Sequence, residues 1–376
     1  MFQKLQKFFL ALLTAAVCLV FAGLLLVYVL FGAGVQVAQA QKESANLAVG
    51  NRFGRYVTNQ FSSALEGLVE IKKEYWLSDD DLIAPEPDQS KFGVSDDAAS
   101  LGWLLEDAQY LLEGQDTLFS TETVLAPNTK VNYYLDDTIF AVTWKEAIND
   151  TMYTISEVKI QHPSQFRRFL SGGSFGSGIQ LKASEMASAV NAVVASNGDF
   201  YAHRRMGISV YGGVVHRVKS EYLDTCYIDE NGDLLFSFRK ELKTVEEAQQ
   251  FVDENKIRFS LAFGPALIQD GQKLKLSEYA IGDIPEPHCR AALCQMDELH
   301  YLLVTAGLED ECDDMVNIFT FQDVLMSFGP DKAYNLDGGQ TAAIIMNNKV
   351  INRISYDQER DVSDIIYFAT ALHSKE

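Results

Sequence analysis

Tyr334-Asn335-Leu336-Asp337-Gly338-Gly339-Gln340-Thr341-Ala342-Ala343-Ile344-Ile345-Met346-Asn347-Asn348 sets one acidic residue and two glycines between two apolar runs of β-type residues. Without a Cβ, the backbone at Gly338 and Gly339 can take positive φ and approach another segment closely. Asp337 then stands at a bend beside bare amide N–H groups, an arrangement that binds anions. A carboxylate presented in this way can also serve as a general acid or base. Asp-Gly between β-like runs is equally the signal of a hairpin, in which case the turn is only a turn.

Four further stretches bear on that choice. They are Asn197-Gly198-Asp199-Phe200-Tyr201, the pair Gly264-Pro265, Arg290 within Pro287-His288-Cys289-Arg290-Ala291-Ala292, and Arg360-Asp361-Val362-Ser363-Asp364. Together with Asn335-Leu336-Asp337-Gly338-Gly339, and in this order, they resemble the landmarks of the phosphodiester glycosidase family. The likeness runs from about Thr117 to the C-terminus. It implies a hydrolase that splits the bond between a sugar and a phosphodiester, acting on cell-envelope or exopolysaccharide material. The alternative is a non-catalytic protein of the same fold that binds polysaccharide or assists its export.

Under that resemblance Asp337 is the acid/base. Arg290 is the phosphate clamp, because a guanidinium fork matches phosphate oxygens in bidentate fashion, and Asn197 positions sugar or phosphate. Gly198, Asp199, Gly338, Gly339, Gln340, Thr341, Gly307 and His203 are expected to line the substrate. Asp199 also reads as an Asx turn at a strand end, His203 as a solvated loop histidine, and Arg290 as an ordinary ion-pair residue. One departure stands out. Where many relatives carry Asp-Gly-Arg, this chain reads Ala306-Gly307-Leu308, so an acidic and a basic residue are missing.

The chain has 376 residues, 47% hydrophobic and 22% charged, which is enough for a substantial core. A net charge of −21 argues against nucleic acid as a partner and requires any phosphate-bearing substrate to meet a local cationic site. Residues 8–31 carry no charged side chain and are long enough to span a bilayer, with Lys4 and Lys7 before them. A retained single-pass anchor with the rest of the chain outside the cell is expected. Cleavage after Ala38-Gln39-Ala40, as in a signal peptide, is the competing reading.

Cys226, Cys289, Cys294 and Cys312 follow that segment and allow disulfides or buried thiols alike. No cofactor is expected. A divalent cation is left open, although the acidic run 309–314 lacks the alternating ligand plan of an EF-hand.

Residues 43–73 and 97–113 carry apolar side chains at three- and four-residue steps and predict helices. Residues 78–81 and 85–88 read as polar linker. Three parts follow: 1–40 as anchor or signal peptide, 41–115 as helical stalk and linker, and 116–376 as the phosphodiester glycosidase-like domain. From Val131 onward the texture is β, with strands at 138–144, 152–160, 192–195, 261–268, 291–295 and 301–305. Asn231-Gly232 marks a hairpin. Helices are expected over 184–190, capped by Ser184, over 245–255 behind the Thr244 capping box, and over 320–328. The expected fold is α+β, with a mixed, mostly antiparallel sheet, flanking helices and the site at strand ends.

Overall fold

The computed structural model describes residues 77, 82–276, 286–309, 312 and 314–372. The apolar run 8–31, the helix expected over 43–73 and the acidic run 78–81 lie outside these residues. Among the described residues no helix is long and apolar enough to cross a membrane.

Three sheets carry the body. The largest has nine strands in the order Phe92–Ser95, Val131–Leu135, Ile139–Ile148, Thr151–Ile160, His300–Gly307, Arg290–Asp297, Lys332–Leu336, Ala266–Gln269 and Gln272–Lys273. A second sheet orders Leu234–Ser237, Thr225–Ile228, Phe259–Leu261, Gly207–Tyr211 and Val214–Lys219. The third orders Lys349–Val350, Ile344–Met346, Val194–Asn197, Asp364–Phe368 and Phe166–Leu170. The ladders of all three are antiparallel, so the mixed sheet expected from the sequence becomes three antiparallel ones.

Side-chain alternation divides the largest sheet into two apolar faces. One face, with Val142, Ile155, Ala292 and Val304, packs against helices α1 (Gly102–Leu112) and α4 (Ile318–Ser327). The other, with Ala141, Val158, Leu293 and Tyr334, packs against the two smaller sheets through Phe166, Phe259, Ile344 and Phe368. Helix α2 (Ala183–Ala189) covers the third sheet, and α3 (Val245–Glu254) covers the second through Ala248 and Val252. The layers therefore run helix, sheet, paired sheets, helix, each apolar face finding a partner.

Several local expectations meet a different outcome. Residues 261–268 form two strands in separate sheets, broken at Gly264-Pro265. Ser184 does not cap α2: its hydroxyl and N–H go to Glu359, and Lys182 holds the N-cap position. The stretch 85–88 is not free linker, since Ala84, Pro85 and Pro87 are buried and Ala84 bonds Val190. Nor does α1 stand apart as stalk, because Leu104, Ala108, Leu111 and Leu112 enter the main core. Cys226, Cys289, Cys294 and Cys312 are buried free thiols.

Candidate active site

The Lys332–Leu336 strand pairs with Arg290–Asp297 and Ala266–Gln269 in the large sheet, whereas Ile344–Met346 pairs with Val194–Asn197 in the third. Residues 337–343 are thus a crossover between sheets, and the hairpin reading of Asp337-Gly338 is wrong. What fixes the crossover is a double clamp on the backbone. Asp337 N–H donates to the Gly198 carbonyl at 3.3 Å, and the Asp337 carbonyl accepts from Asn197 Nδ2 at 2.7 Å. On the other side Gly339 N–H donates to the Cys289 carbonyl at 2.8 Å.

Each glycine has its own reason. A Cβ on Gly338 would lie 2.5 Å from the Cys289 carbonyl oxygen, whereas Gly339 has φ +66° with open space around it. Gly338→Ala is accordingly expected to cost about 1–3 kcal/mol through forced displacement of backbone. Gly339→Ala should cost about 1 kcal/mol, for the left-handed conformation alone. Denaturant melts of the two variants check that order.

The clamp holds Asp337 half-buried at the end of its strand. Burial pushes its carboxyl up to about 6, opposed by hydrogen bonding from the Thr341 hydroxyl, the charges of Arg204 and Arg360, and the Gly338 N–H. A carboxyl in that range exchanges a proton near neutrality, as acid–base work requires. Arg204 lies over the Phe263 ring, 4.2 Å from its centroid, and donates to the Phe263 carbonyl at 3.2 Å. Arg360 lies 5.4 Å from the Phe200 centroid and is exposed. Two cations on aromatic supports therefore act on one carboxylate.

Arg290, read from the sequence as the phosphate clamp, is placed otherwise. It is 8% exposed, and it donates from Nε to the Val316 carbonyl at 3.2 Å and from Nη2 to the Glu286 carbonyl at 2.7 Å. Its ladder partner is Ala306, so both side chains leave the same sheet face, the one that packs on α4. Two carbonyls are among the partners of the guanidinium.

Asn197 does not reach outward either. It is 1% exposed, its Oδ1 accepts from Ala343 N–H at 3.1 Å, and its Nδ2 holds Asp337. It positions the turn. Gly198 makes room for a carboxylate, since a Cβ there would fall 2.0 Å from Asp364 Oδ2. Asp199, 3% exposed, is committed to Arg168 Nη2 at 2.9 Å, Tyr201 N–H and Ala262 N–H, so it is a buried ion-pair partner rather than a second site carboxylate.

The remaining residues divide. Thr341 donates to the Gly338 carbonyl at 2.8 Å, and its hydroxyl favours the ionised form of Asp337. Gln340 Nε2 donates to the Gln358 carbonyl at 3.0 Å. Gly307 sits where a Cβ would meet Cys289 Sγ at 2.8 Å, making it a packing glycine. His203 is exposed, stacked on Phe200 at 4.6 Å and bonded to Gln180. The glycine-rich run 172–178 carries Phe175 onto Tyr201 and His216, at 5.0 and 4.5 Å. Glu309 pairs with Lys145, and among the described residues no His, Cys, Asp or Glu cluster could hold a metal ion.

Arg168 is the residue that sequence reading missed altogether. Its Nε meets Asp364 Oδ2 and its Nη2 meets Asp199 Oδ1, both at 2.9 Å, with Nη1 on the Ser260 carbonyl. Burial pushes the Asp364 carboxyl up against the pull of Arg168, and the neighbouring Asp199 adds to the rise. Nothing in Phe166-Arg167-Arg168-Phe169-Leu170 beyond a β-like texture announces it.

Residues 190–369, which hold the aspartate crossover, match the model of the phosphodiester glycosidase family. Among solved structures the chain is similar to the catalytic domain of zebrafish N-acetylglucosamine-1-phosphodiester alpha-N-acetylglucosaminidase, described as auto-inhibited by its pro-peptide. The TM-score is 0.50 at 14% identity, over 70% of this chain and 93% of that one. A hypothetical protein from Synechocystis aligns with a TM-score of 0.45 at 13% identity, over 66% of this chain and 64% of that one. No curated protein matches the sequence.

Proposed function

We propose that this chain hydrolyses glycosyl phosphodiesters at Asp337, with Arg204 and Arg360 holding the phosphate. The observation that carries the reading is a half-buried carboxyl at a crossover whose backbone is clamped by Asn197 and Gly198, with Arg204 and Arg360 acting on its charge. In hydrolysis of such a diester, water attacks the anomeric carbon, the C–O bond to phosphate breaks, and a phosphate monoester leaves. That leaving group is weakly basic and needs charge neutralisation more than a proton. The arginines supply the neutralisation, and Asp337, ionised near neutrality, takes the proton from the attacking water. Asn197, Gly198 and Cys289 keep the carboxylate in place through its backbone.

N-acetylglucosamine 1-phosphodiesters are the first substrates to try, by analogy with the zebrafish enzyme. The apolar run 8–31 supports an outward-facing, membrane-anchored enzyme working on cell-envelope or exopolysaccharide glycans. Incubating the full-length protein with GlcNAc 1-(methyl phosphate) and measuring released GlcNAc tests the activity. Equal release by wild type and Asp337→Ala would refute it. Arg204→Gln and Arg360→Gln are expected to lower kcat/KM by about 10–100-fold each, since each removes a charge-assisted phosphate contact. Arg290→Gln should act mainly on stability, and a denaturant melt beside the kinetics separates the two effects.

A second reading, a glycan-binding protein without turnover, is favoured by Ala306 and Leu308 standing where relatives carry charge. Diester binding that survives Asp337→Ala, with no sugar released by wild type, would select it.

A further inference from the structure

Beside the Asp337 crossover runs the loop Arg353-Ile354-Ser355-Tyr356-Asp357-Gln358, which leads directly to Arg360. Two consecutive residues in it, Tyr356 and Asp357, hold φ of +64° and +55°. Neither is glycine, and left-handed backbone is costly for such residues, so a pair of them persists only where the surroundings enforce it. The surroundings do so here. Arg353 Nε donates to Asp357 Oδ1 at 2.8 Å, and Asp357 N–H donates to the Ile354 carbonyl at 2.9 Å. Ser355 Oγ lies 3.1 Å from Cys289 Sγ, and Gln340 holds the Gln358 carbonyl.

Those last two bonds tie the loop to the residues that clamp Asp337, since Cys289 accepts from Gly339 and Gln340 follows it. Tyr356 is meanwhile 88% exposed, the most exposed large apolar side chain among the described residues. Solitary exposed apolar residues are ordinary. A bulky one held in costly backbone against the catalytic turn is not, because glycine or asparagine at 356 would relieve the strain.

Resting on the function proposed above, we infer that Tyr356 is a substrate-binding residue that sets specificity, stacking on a pyranose ring of the glycosyl phosphodiester held at Asp337. A tyrosine offers a flat apolar face at the cost of two torsions, with a hydroxyl for the sugar's polar edge. The C–H face of a pyranose suits such a surface. The bonded loop fixes the backbone that carries the ring before substrate arrives, which reduces the ordering cost of binding.

The test is steady-state kinetics of the full-length protein with GlcNAc 1-(methyl phosphate), for Tyr356→Ala, Tyr356→Gly and Tyr356→Phe. Tyr222→Ala, an exposed tyrosine elsewhere, is the control. Tyr356→Ala and Tyr356→Gly are expected to raise KM about tenfold with kcat changed by less than about twofold, the loss of one aromatic contact. Tyr356→Phe should recover most of that loss. Tyr356→Gly should melt no lower than wild type, because glycine takes positive φ without penalty, so its raised KM cannot be assigned to misfolding. A KM within twofold of wild type for both Tyr356→Ala and Tyr356→Gly overturns the inference while leaving the catalytic reading intact. If wild type binds the diester without splitting it, the same shifts are read in Kd and only the catalytic reading falls. If wild type neither binds nor splits it, both fall.

Discussion

Asp337→Asn is expected to abolish sugar release and, at neutral pH, to make the protein more stable. Loss of a positioned general base lowers kcat/KM by about 10²–10⁴-fold, and asparagine keeps the shape of the side chain. The stability gain follows from the direction of the pKa shift. The carboxyl rises from 3.8 to about 6 on folding, chiefly because burial disfavours its charge. The folded chain then holds the proton more tightly than the unfolded one, so the stabilising contribution is full below pH 4 and is lost as pH rises through about 6. Above that, ionised Asp337 weighs against the fold by about 2 kcal/mol, allowing for its partial contact with water.

Thermal melts should place Asp337→Asn a few degrees above wild type at pH 7.5, with little difference at pH 4. Wild-type kcat/KM should fall as pH drops through about 6, because the base is then protonated. A profile that falls above pH 6 instead would make Asp337 the acid. An unchanged rate in Asp337→Asn would remove it from the chemistry.

A bend at Asp337 could be read in the chain because a Gly-Gly pair after an acid restricts the local geometry to few solutions, but not that it carries the chain from one sheet to another. Of the three residues expected to converge, Asn197 reaches the Asp337 backbone with its side-chain amide, and Arg290 adjoins the crossover by its backbone alone. Asn197 and Arg290 both adjoin Asp337, but which way a side chain leaves a strand depends on pairing register. That register is set by strands as distant as His300–Gly307 and Val194–Asn197. Arg290 therefore looked like a clamp and points to the α4 side, while Arg204, unremarkable in Ala202-His203-Arg204-Arg205, acts on the site.

Helix signals carried further. The Thr244 capping box opens α3 where the sequence places it, with Thr244 Oγ1 accepting from Glu247 N–H at 3.1 Å. Leucine spacing marked α1, yet as part of a stalk, because periodicity shows that a helix has an apolar face and not what covers it. The hairpin Gly207–Tyr211 and Val214–Lys219 went unread. Its second strand mixes basic and apolar residues without a regular alternation, which hides the strand signal on either side of Gly212-Gly213.

The largest stability effect should come from a residue with no sequence signal. Arg168 is separated from Asp199 by 31 residues and from Asp364 by 196, and it balances both carboxylates in a region closed to water. Arg168→Met leaves two buried carboxylates facing one another, and breaking a buried pair in this way costs about 3–5 kcal/mol. For a body of this size that is on the order of 10 °C in Tm. The loss should be largely repaired in Arg168→Met/Asp199→Asn/Asp364→Asn, which removes the charges along with their partner.

Activity should not return with stability. Asp364 Oδ2 accepts from Asp199 N–H at 3.2 Å, and the Asp364 carbonyl accepts from Gly198 N–H at 3.1 Å. Gly198 in turn holds the Asp337 N–H. The ion pair thus sets the position of the element that orients Asp337, and a tolerance of about 1 Å is enough to cost 10²-fold in rate. Denaturant melts and GlcNAc release on the same three proteins separate the two consequences. Arg168→Met within about 1 kcal/mol of wild type would show that the buried cluster does not hold the strand ends together.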